Sequence, residues 1–246
     1  MKWFQDITPV QDISAERIWV IGDLHGCYDQ FLNILLEIPA RPDTEAVILV
    51  GDICDRGPRS LDTLRSVMRL YEHDKAYIPI YCVLGNHDAK LLRALNGANV
   101  KFTNGLEATW AEVIAYCDEE EKQKIRTFFQ STPLTICVHT SRGNCVIVHA
   151  GFCEQMMGYK GPWNKGMTVE YAIFGPTDGV LANGFPNRIP WEDTYNGEPY
   201  VFYGHKVMGS NPKFTAKTCG LDTGCWESGI LTAVSYPDLK VIQSNQ

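Results

Sequence analysis

Three short, almost wholly apolar runs, Arg17 to Gly22, Ala46 to Gly51 and Pro79 to Gly85, recur about thirty residues apart, and each ends in glycine. Successive side chains of a strand point to opposite faces of its sheet, so a continuous apolar run belongs to a strand covered on both sides. Between them, Tyr28 to Ile38 and Ser60 to Glu72 place apolar residues three and four apart, Phe31, Ile34, Leu35 and Ile38 in the first and Leu61, Leu64 and Met68 in the second. That spacing predicts amphipathic crossover helices. Strand, helix, strand, helix, strand in this order requires parallel strands with right-handed crossovers, and ligands then gather beyond the carboxyl ends of the strands.

Acidic and histidine-bearing segments stand at those ends: Gly22-Asp23-Leu24-His25-Gly26, Gly51-Asp52-Ile53-Cys54-Asp55-Arg56-Gly57 and Gly85-Asn86-His87-Asp88. Two later histidines, His149 and His205, follow two more strand-like runs. A single Asp or His after a strand is ordinarily a helix cap or a satisfied polar residue. Five such positions after five strands instead form a ligand cluster. By chemical type, Asp23 and His25 with Asp52 suit one metal ion, and Asp52 again with Asn86, His149 and His205 suits a second, so that Asp52 bridges them. Two ions about 3.5 to 4 Å apart can share a hydroxide that attacks a phosphorus atom in line with the leaving group. Mixed imidazole, carboxylate and amide ligands favour Mn, with Fe or Zn as alternatives, over the oxygen-only shell of Ca or the thiolate shell of a structural zinc.

The rest of the chain supports one large α/β domain spanning residues 1–246, with hydrophobic residues at 45% supplying ample core. The section from Ala89 to Gln130 reads as helical. Leu134 to Val138 and Asn144 to His149 flank the turn Ser141-Arg142-Gly143 as an antiparallel hairpin. Further strands are expected at Tyr200 to Tyr203, Phe214 to Leu221, Ile230 to Ser235 and Leu239 to Ile242. Lys160 to Pro199, rich in Gly, Pro and Asn, reads as a long irregular loop suited to selecting the substrate. Nine cysteines, with no C-x-x-C pair, predict buried free thiols and a cytoplasmic setting. No secretory signal or membrane-length apolar run is present. A net charge of −7 argues against general nucleic-acid binding and for a small or terminal phosphate group.

GDLHG (22 to 26), GDICDRG (51 to 57), GNHD (85 to 88), VHAG (148 to 151) and YGH (203 to 205) resemble the calcineurin-like metallophosphoesterases, in the branch of the serine/threonine phosphoprotein phosphatases, lambda-type phosphatase and symmetrical diadenosine tetraphosphatase. Gly85 to Leu95, with Leu221 to Cys225 and Leu231 to Pro237, is most similar to the phosphatase domain of bacterial polynucleotide kinase-phosphatases. The kinase's Gly-rich loop is missing. The resemblance implies a β-sandwich of two mixed sheets flanked by helices. It implies His87 as general acid, Asp55 as its orienting partner and Arg56 as a phosphate clamp. A second phosphate-binding Arg belongs between the last two histidine motifs, where Arg188 is the candidate. Lys90 and Arg93, three apart beyond His87, are further candidates for substrate phosphates. Asp88 stands where the protein phosphatases have Glu, which disfavours a phosphoprotein substrate. Nucleotide or nucleic-acid-end phosphomonoesters are therefore expected, with symmetrical dinucleoside tetraphosphates or phosphoproteins as alternatives. A catalytically silent phosphate-binding module is a remoter one, because the ligand set is complete.

Overall fold

The computed structural model describes residues 10–39, 41, 43–72, 78–157, 167–182, 184 and 186–244. In chain order the strands are β1 (Val10–Ser14), β2 (Arg17–Ile21), β3 (Glu45–Leu49), β4 (Ile80–Cys82), β5 (Thr135–Thr140), β6 (Gly143–Val148), β7 (Thr177–Val180), β8 (Pro186–Arg188), β9 (Tyr200–Tyr203), β10 (Lys213–Phe214), β11 (Thr218–Gly220), β12 (Leu231–Tyr236) and β13 (Val241–Ser244). The helices are α1 (Tyr28–Glu37), α2 (Ser60–Tyr71), α3 (Asn86–Leu95), α4 (Leu106–Tyr116), α5 (Glu119–Ser131), α6 (Met167–Phe174) and the single turn α7 (Cys225–Ser228).

Two mixed sheets form the body. One has the order β13-β12-β2-β3-β4, with β2, β3 and β4 parallel as their spacing requires, and the other has the order β1-β5-β6-β9-β11-β10, with β6, β9 and β11 parallel. The apolar runs divide by parity. Ile18, Val20, Ala46, Ile48 and Val50 meet Ile136, Val138, Ile147 and Phe202 of the other sheet in one buried cluster. The intervening Trp19, Ile21, Val47 and Leu49 turn outward onto Phe31, Ile34, Leu64 and Val67 of α1 and α2. Both faces are buried, which is why neither could be polar. The result is an α/β sandwich of two mixed sheets flanked by helices.

Three elements differ from the sequence reading. Phe214 to Leu221 is not one strand, because β10 and β11 fold back on each other as a short antiparallel pair around Thr215, whose hydroxyl accepts from the Lys217 and Thr218 amides. The stretch from Lys160 to Pro199 is not wholly irregular: residues 160–166, 183 and 185 lie outside the described residues, and the remainder carries α6 and the β7–β8 hairpin. An edge strand, β1, pairs in parallel with β5 ahead of the first predicted strand. Among the described residues no helix is long and apolar enough to cross a membrane.

Candidate active site

All five motifs meet at the carboxyl ends of parallel strands. Asp23 and His25 follow β2, Asp52 follows β3, Asn86 and His87 open α3 beyond β4, His149 follows β6 and His205 follows β9. The first two loops are laced together by the His25 amide donating to the Asp52 carbonyl at 2.8 Å and the Gly57 amide donating to the His25 carbonyl at 2.8 Å. Two glycines permit this crowding. A side chain at Gly85 would collide with the Asp52 amide and carboxylate, and one at Gly204 with the Asp23 carboxylate.

Asp52 is the hinge of the arrangement. Its Oδ1 accepts the His87 amide at 2.9 Å, in the first turn of α3. Its Oδ2 lies 3.5 Å from His25 Nε2 and 3.5 Å from His149 Nε2. Two tight groups of ligand atoms result, His25 with Asp52 and His87, and Asp52 with His149 and His205, and Asp52 is common to both. Burial opposes the Asp52 charge, but the imidazoles of His149, His87, His25 and His205 prevail and hold its carboxyl well below the usual range.

The protonation pattern fits divalent cations. His149 Nδ1 is 2.8 Å from the Val50 carbonyl and His25 Nδ1 is 3.0 Å from the Cys54 carbonyl, so each ring donates there and turns an unprotonated Nε2 inward. Burial keeps these rings neutral, pushing His25 down to about 4 and lowering His149 as well. His149 Nε2 then faces Asn86 Oδ1 at 3.1 Å, His205 Nδ1 at 3.2 Å and Asp52 Oδ2. An amide oxygen, a carboxylate oxygen and two imidazole nitrogens thus converge in one buried spot, a ligand set that a cation satisfies. Burial, together with the nearby charges of Asp222 and Asp52, raises Asp23 well above the usual carboxylate range, another repulsion that bound cations relieve.

His87 differs from the other imidazoles. Its Nδ1 is 2.7 Å from Asp55 Oδ2 and its Nε2 is 3.1 Å from the Arg56 guanidinium, so both nitrogens are engaged, although the ring lies within the first group of ligand atoms. Burial works against the imidazolium, but Asp52 and the hydrogen bond to Asp55 outweigh it and raise the His87 pKa. Asp23 stands outside both tight groups, with its two carboxylate oxygens 3.1 Å from the His205 amide.

The outer candidates occupy different surroundings. Arg188 is exposed at the end of β8, donates to the Phe174 carbonyl and lines a small cleft with His205, close enough for its charge to lower the pKa values of His149 and His205. The Lys90 ammonium donates to the Thr103 carbonyl at 2.8 Å and so ties down the loop before α4. Arg93 is partly buried one turn further along α3.

Three residues carry parts of the site that the sequence reading left unassigned. Asp88, fully buried, accepts the Ile53 amide at 2.9 Å and the Gly85 amide at 3.1 Å, so it clasps the second motif to the third. Asp222 is buried beside Asp23 after β11 and accepts the Gly224 amide at 2.8 Å. An acid directly after an apolar strand was the signal that marked Asp52, and Leu221-Asp222 repeats it. Trp226, on α7, lies against Arg56 with the guanidinium carbon 5.2 Å from the ring centroid. No motif marked it.

A sequence profile of the calcineurin-like phosphoesterases matches residues 16–209. The chain is 34% identical over 238 residues to the asymmetrical bis(5'-nucleosyl)-tetraphosphatase PrpE of Geobacillus sp. (strain WCH70), covering 92% of this chain and 93% of that protein. It is 33% identical over 235 residues to the enzyme of the same name from Bacillus cereus (strain ATCC 14579), covering 91% and 92%. Among solved structures, a protein provisionally described as a diadenosine tetraphosphatase superposes with a TM-score of 0.69 at 22% identity, over 96% of this chain and 97% of that one. A serine/threonine phosphatase from Saccharomyces cerevisiae superposes with a TM-score of 0.67 at 14% identity, over 99% and 86%. These two likenesses concern the fold.

Proposed function

Because the chain belongs to the calcineurin-like phosphoesterase family, a family of divalent-metal-dependent hydrolases, we propose that it is a dinuclear enzyme that cleaves dinucleoside tetraphosphates asymmetrically. The observation that carries the two-ion reading is Asp52 Oδ2, equidistant at 3.5 Å from His25 Nε2 and His149 Nε2. Asp23, His25 and Asp52 would hold one ion, and Asp52, Asn86, His149 and His205 the other, with Mn the metal best matched to these ligands and Fe or Zn as alternatives. When bound, the ions supply positive charge to the phosphate oxygens and acidify a water molecule.

The chain's own residues handle the phosphate and the proton. Arg56 reads two phosphate oxygens through its planar fork. Before substrate binds, its guanidinium donates to His87 Nε2 and holds that nitrogen unprotonated. A phosphate group draws the guanidinium away, and His87, anchored through Nδ1 to Asp55, can then carry a proton on Nε2 and deliver it to the departing oxygen. Arg188, beside His205, would meet a phosphate oxygen on the far side of the site.

The substrate class follows the relatives, whose shared name is asymmetrical bis(5'-nucleosyl)-tetraphosphatase and which align with more than nine-tenths of the chain. A second reading, phosphomonoesters at nucleotide or nucleic-acid ends, is favoured by the His87–Asp55 pair, since a departing alkoxide needs a proton more than a departing phosphate does. The test compares kcat/KM under Mn for diadenosine tetraphosphate, a nucleoside 3'-phosphate and a phosphoserine peptide, and resolves the products chromatographically. AMP with ATP is the expected outcome. Two ADP would indicate symmetrical cleavage, and a tenfold preference for either monoester would overturn the substrate assignment.

A further inference from the structure

Trp226 is 39% exposed although indole is among the costliest side chains to leave in water. It is also held firmly. The one-turn helix α7 that carries it is bracketed by Gly224 and Gly229, with φ of 64° and 74°, and the Ser228 hydroxyl donates to the Thr223 carbonyl at 2.8 Å while accepting the Ile230 amide at 3.0 Å. A second exposed apolar side chain packs at the start of the same turn. Val207, 47% exposed in the loop after His205, reaches to 3.2 Å from where a side chain on Gly224 would begin. Val207 thus packs at the start of the turn that carries Trp226, at the rim of the site.

Trp226 adjoins the phosphate-handling residues. The Arg56 guanidinium is 5.2 Å from the Trp226 ring centroid and 3.1 Å from His87 Nε2, so a phosphate held by Arg56 lies next to the indole. An exposed, rigid, flat aromatic surface beside a phosphate clamp matches a ligand whose phosphate chain ends in a planar heterocycle. Inorganic polyphosphates and phosphoserine residues have nothing to place there.

We propose that Trp226 is the platform on which a nucleobase of the substrate stacks, and that it makes this phosphoesterase select nucleoside polyphosphates over phosphate chains without a base. The inference rests on the proposed function and supplies a specificity residue for it. The indole acts in binding. It gains from the base's π-face whichever base is offered, so discrimination among bases is weak and discrimination against base-free substrates is strong.

A structural role for Trp226, bracing Arg56, is the competing explanation, and the test separates the two. Trp226→Leu keeps apolar bulk against Arg56 but removes the π-face, and Trp226→Phe restores a smaller one. Full-length protein loaded with Mn is assayed on diadenosine tetraphosphate and on inorganic tripolyphosphate, which has the same P–O–P bonds and no base. Trp226→Leu is expected to raise KM for the dinucleotide about 5- to 150-fold, the range that base–aromatic stacking supplies. Its effect on tripolyphosphate should be at least fivefold smaller, and Trp226→Phe should recover most of the loss. An equal loss on both substrates, or a loss in kcat alone, makes the residue a brace for Arg56 and overturns the inference. If the unaltered protein cleaves tripolyphosphate but not the dinucleotide, it is the substrate assignment that fails.

Discussion

Replacing His87 with Asn tests the division between groups that hold metal and groups that handle the proton. The imidazole spans Asp55 Oδ2 at 2.7 Å and the Arg56 guanidinium at 3.1 Å. A positioned general acid contributes about 10² to 10⁴ in rate, or about 2.7 to 5.4 kcal/mol of barrier. That loss is expected in full on an alkyl phosphate, whose alkoxide must be protonated as it departs. It should shrink below about tenfold on p-nitrophenyl phosphate, and shrink similarly on diadenosine tetraphosphate, because a departing phosphate is a weak base with a second pKa near 6. The assay is kcat on the three substrates with metal content measured alongside. Asp55→Asn should fall between the two proteins, since a neutral partner gives roughly half the strength of a charged one. It should also move the basic limb of kcat to lower pH: Asp55 helps raise the His87 pKa, so without it the acid form is lost sooner as pH rises. Equal losses on all three substrates, or loss of one metal ion from His87→Asn, would falsify the general-acid role.

The ion cluster yields three more expectations. Gly85→Ala pushes a methyl group into the Asp52 amide and carboxylate, so metal stoichiometry should fall below that of the unaltered protein and activity should drop by at least about a hundredfold, as calorimetric titration with Mn and turnover assays would show. In metal-free protein, burial and Asp52 raise Asp88 to about 7 and Asp222 to about 6. Folding therefore binds these protons more tightly than the unfolded chain does, and the stability they lend is complete below about pH 4 and is lost as pH rises through about 6 to 7. Mn should flatten that decline in a series of thermal melts, and a decline that persists unchanged with Mn would count against a shared acidic cation site. Cys54→Ser should keep activity within about threefold: burial pushes the thiol well above its ordinary value, so it holds its proton and is no nucleophile.

The parts of this molecule that could be read from the sequence are those where one physical requirement acts on consecutive residues. Burial on two faces makes β2 and β3 continuous apolar runs, and the single-sided packing of α1 and α2 writes itself at three- and four-residue spacing, so their bounds match within one or two residues. Elements set by distant partners left no such trace. The edge strand β1 is half-exposed and exists because β5 offers it a free edge, while β10 and β11 are separated by a turn built on side-chain hydroxyls. The candidate ligand residues were legible as a set because each follows a strand. Asp88 was visible as a departure from the protein phosphatases, but its clasp on Ile53 depends on two loops meeting, which spacing along the chain does not encode. Trp226 approaches Arg56 across 170 positions, and nothing local distinguishes it from any other tryptophan.

The backbone at the site gives the cluster an energetic meaning beyond ligand placement. His25, Asp52, Asp55, Arg56 and His205 all have positive φ, from 42° to 74°, a region that costs a residue with a side chain of order 1 to 3 kcal/mol. A helix or strand would never need it. Here the strain turns these side chains inward while the chain reverses within two or three residues, on three of the loops that meet at the site. The metal-free protein therefore carries both this strain and the crowding of Asp23, Asp52 and Asp222, and bound cations would relieve the second without removing the first. On the two-ion proposal, ion binding and folding are coupled through that relief, and a substitution that eases the loops, such as His205→Gly, should stabilise the metal-free chain while weakening its hold on metal.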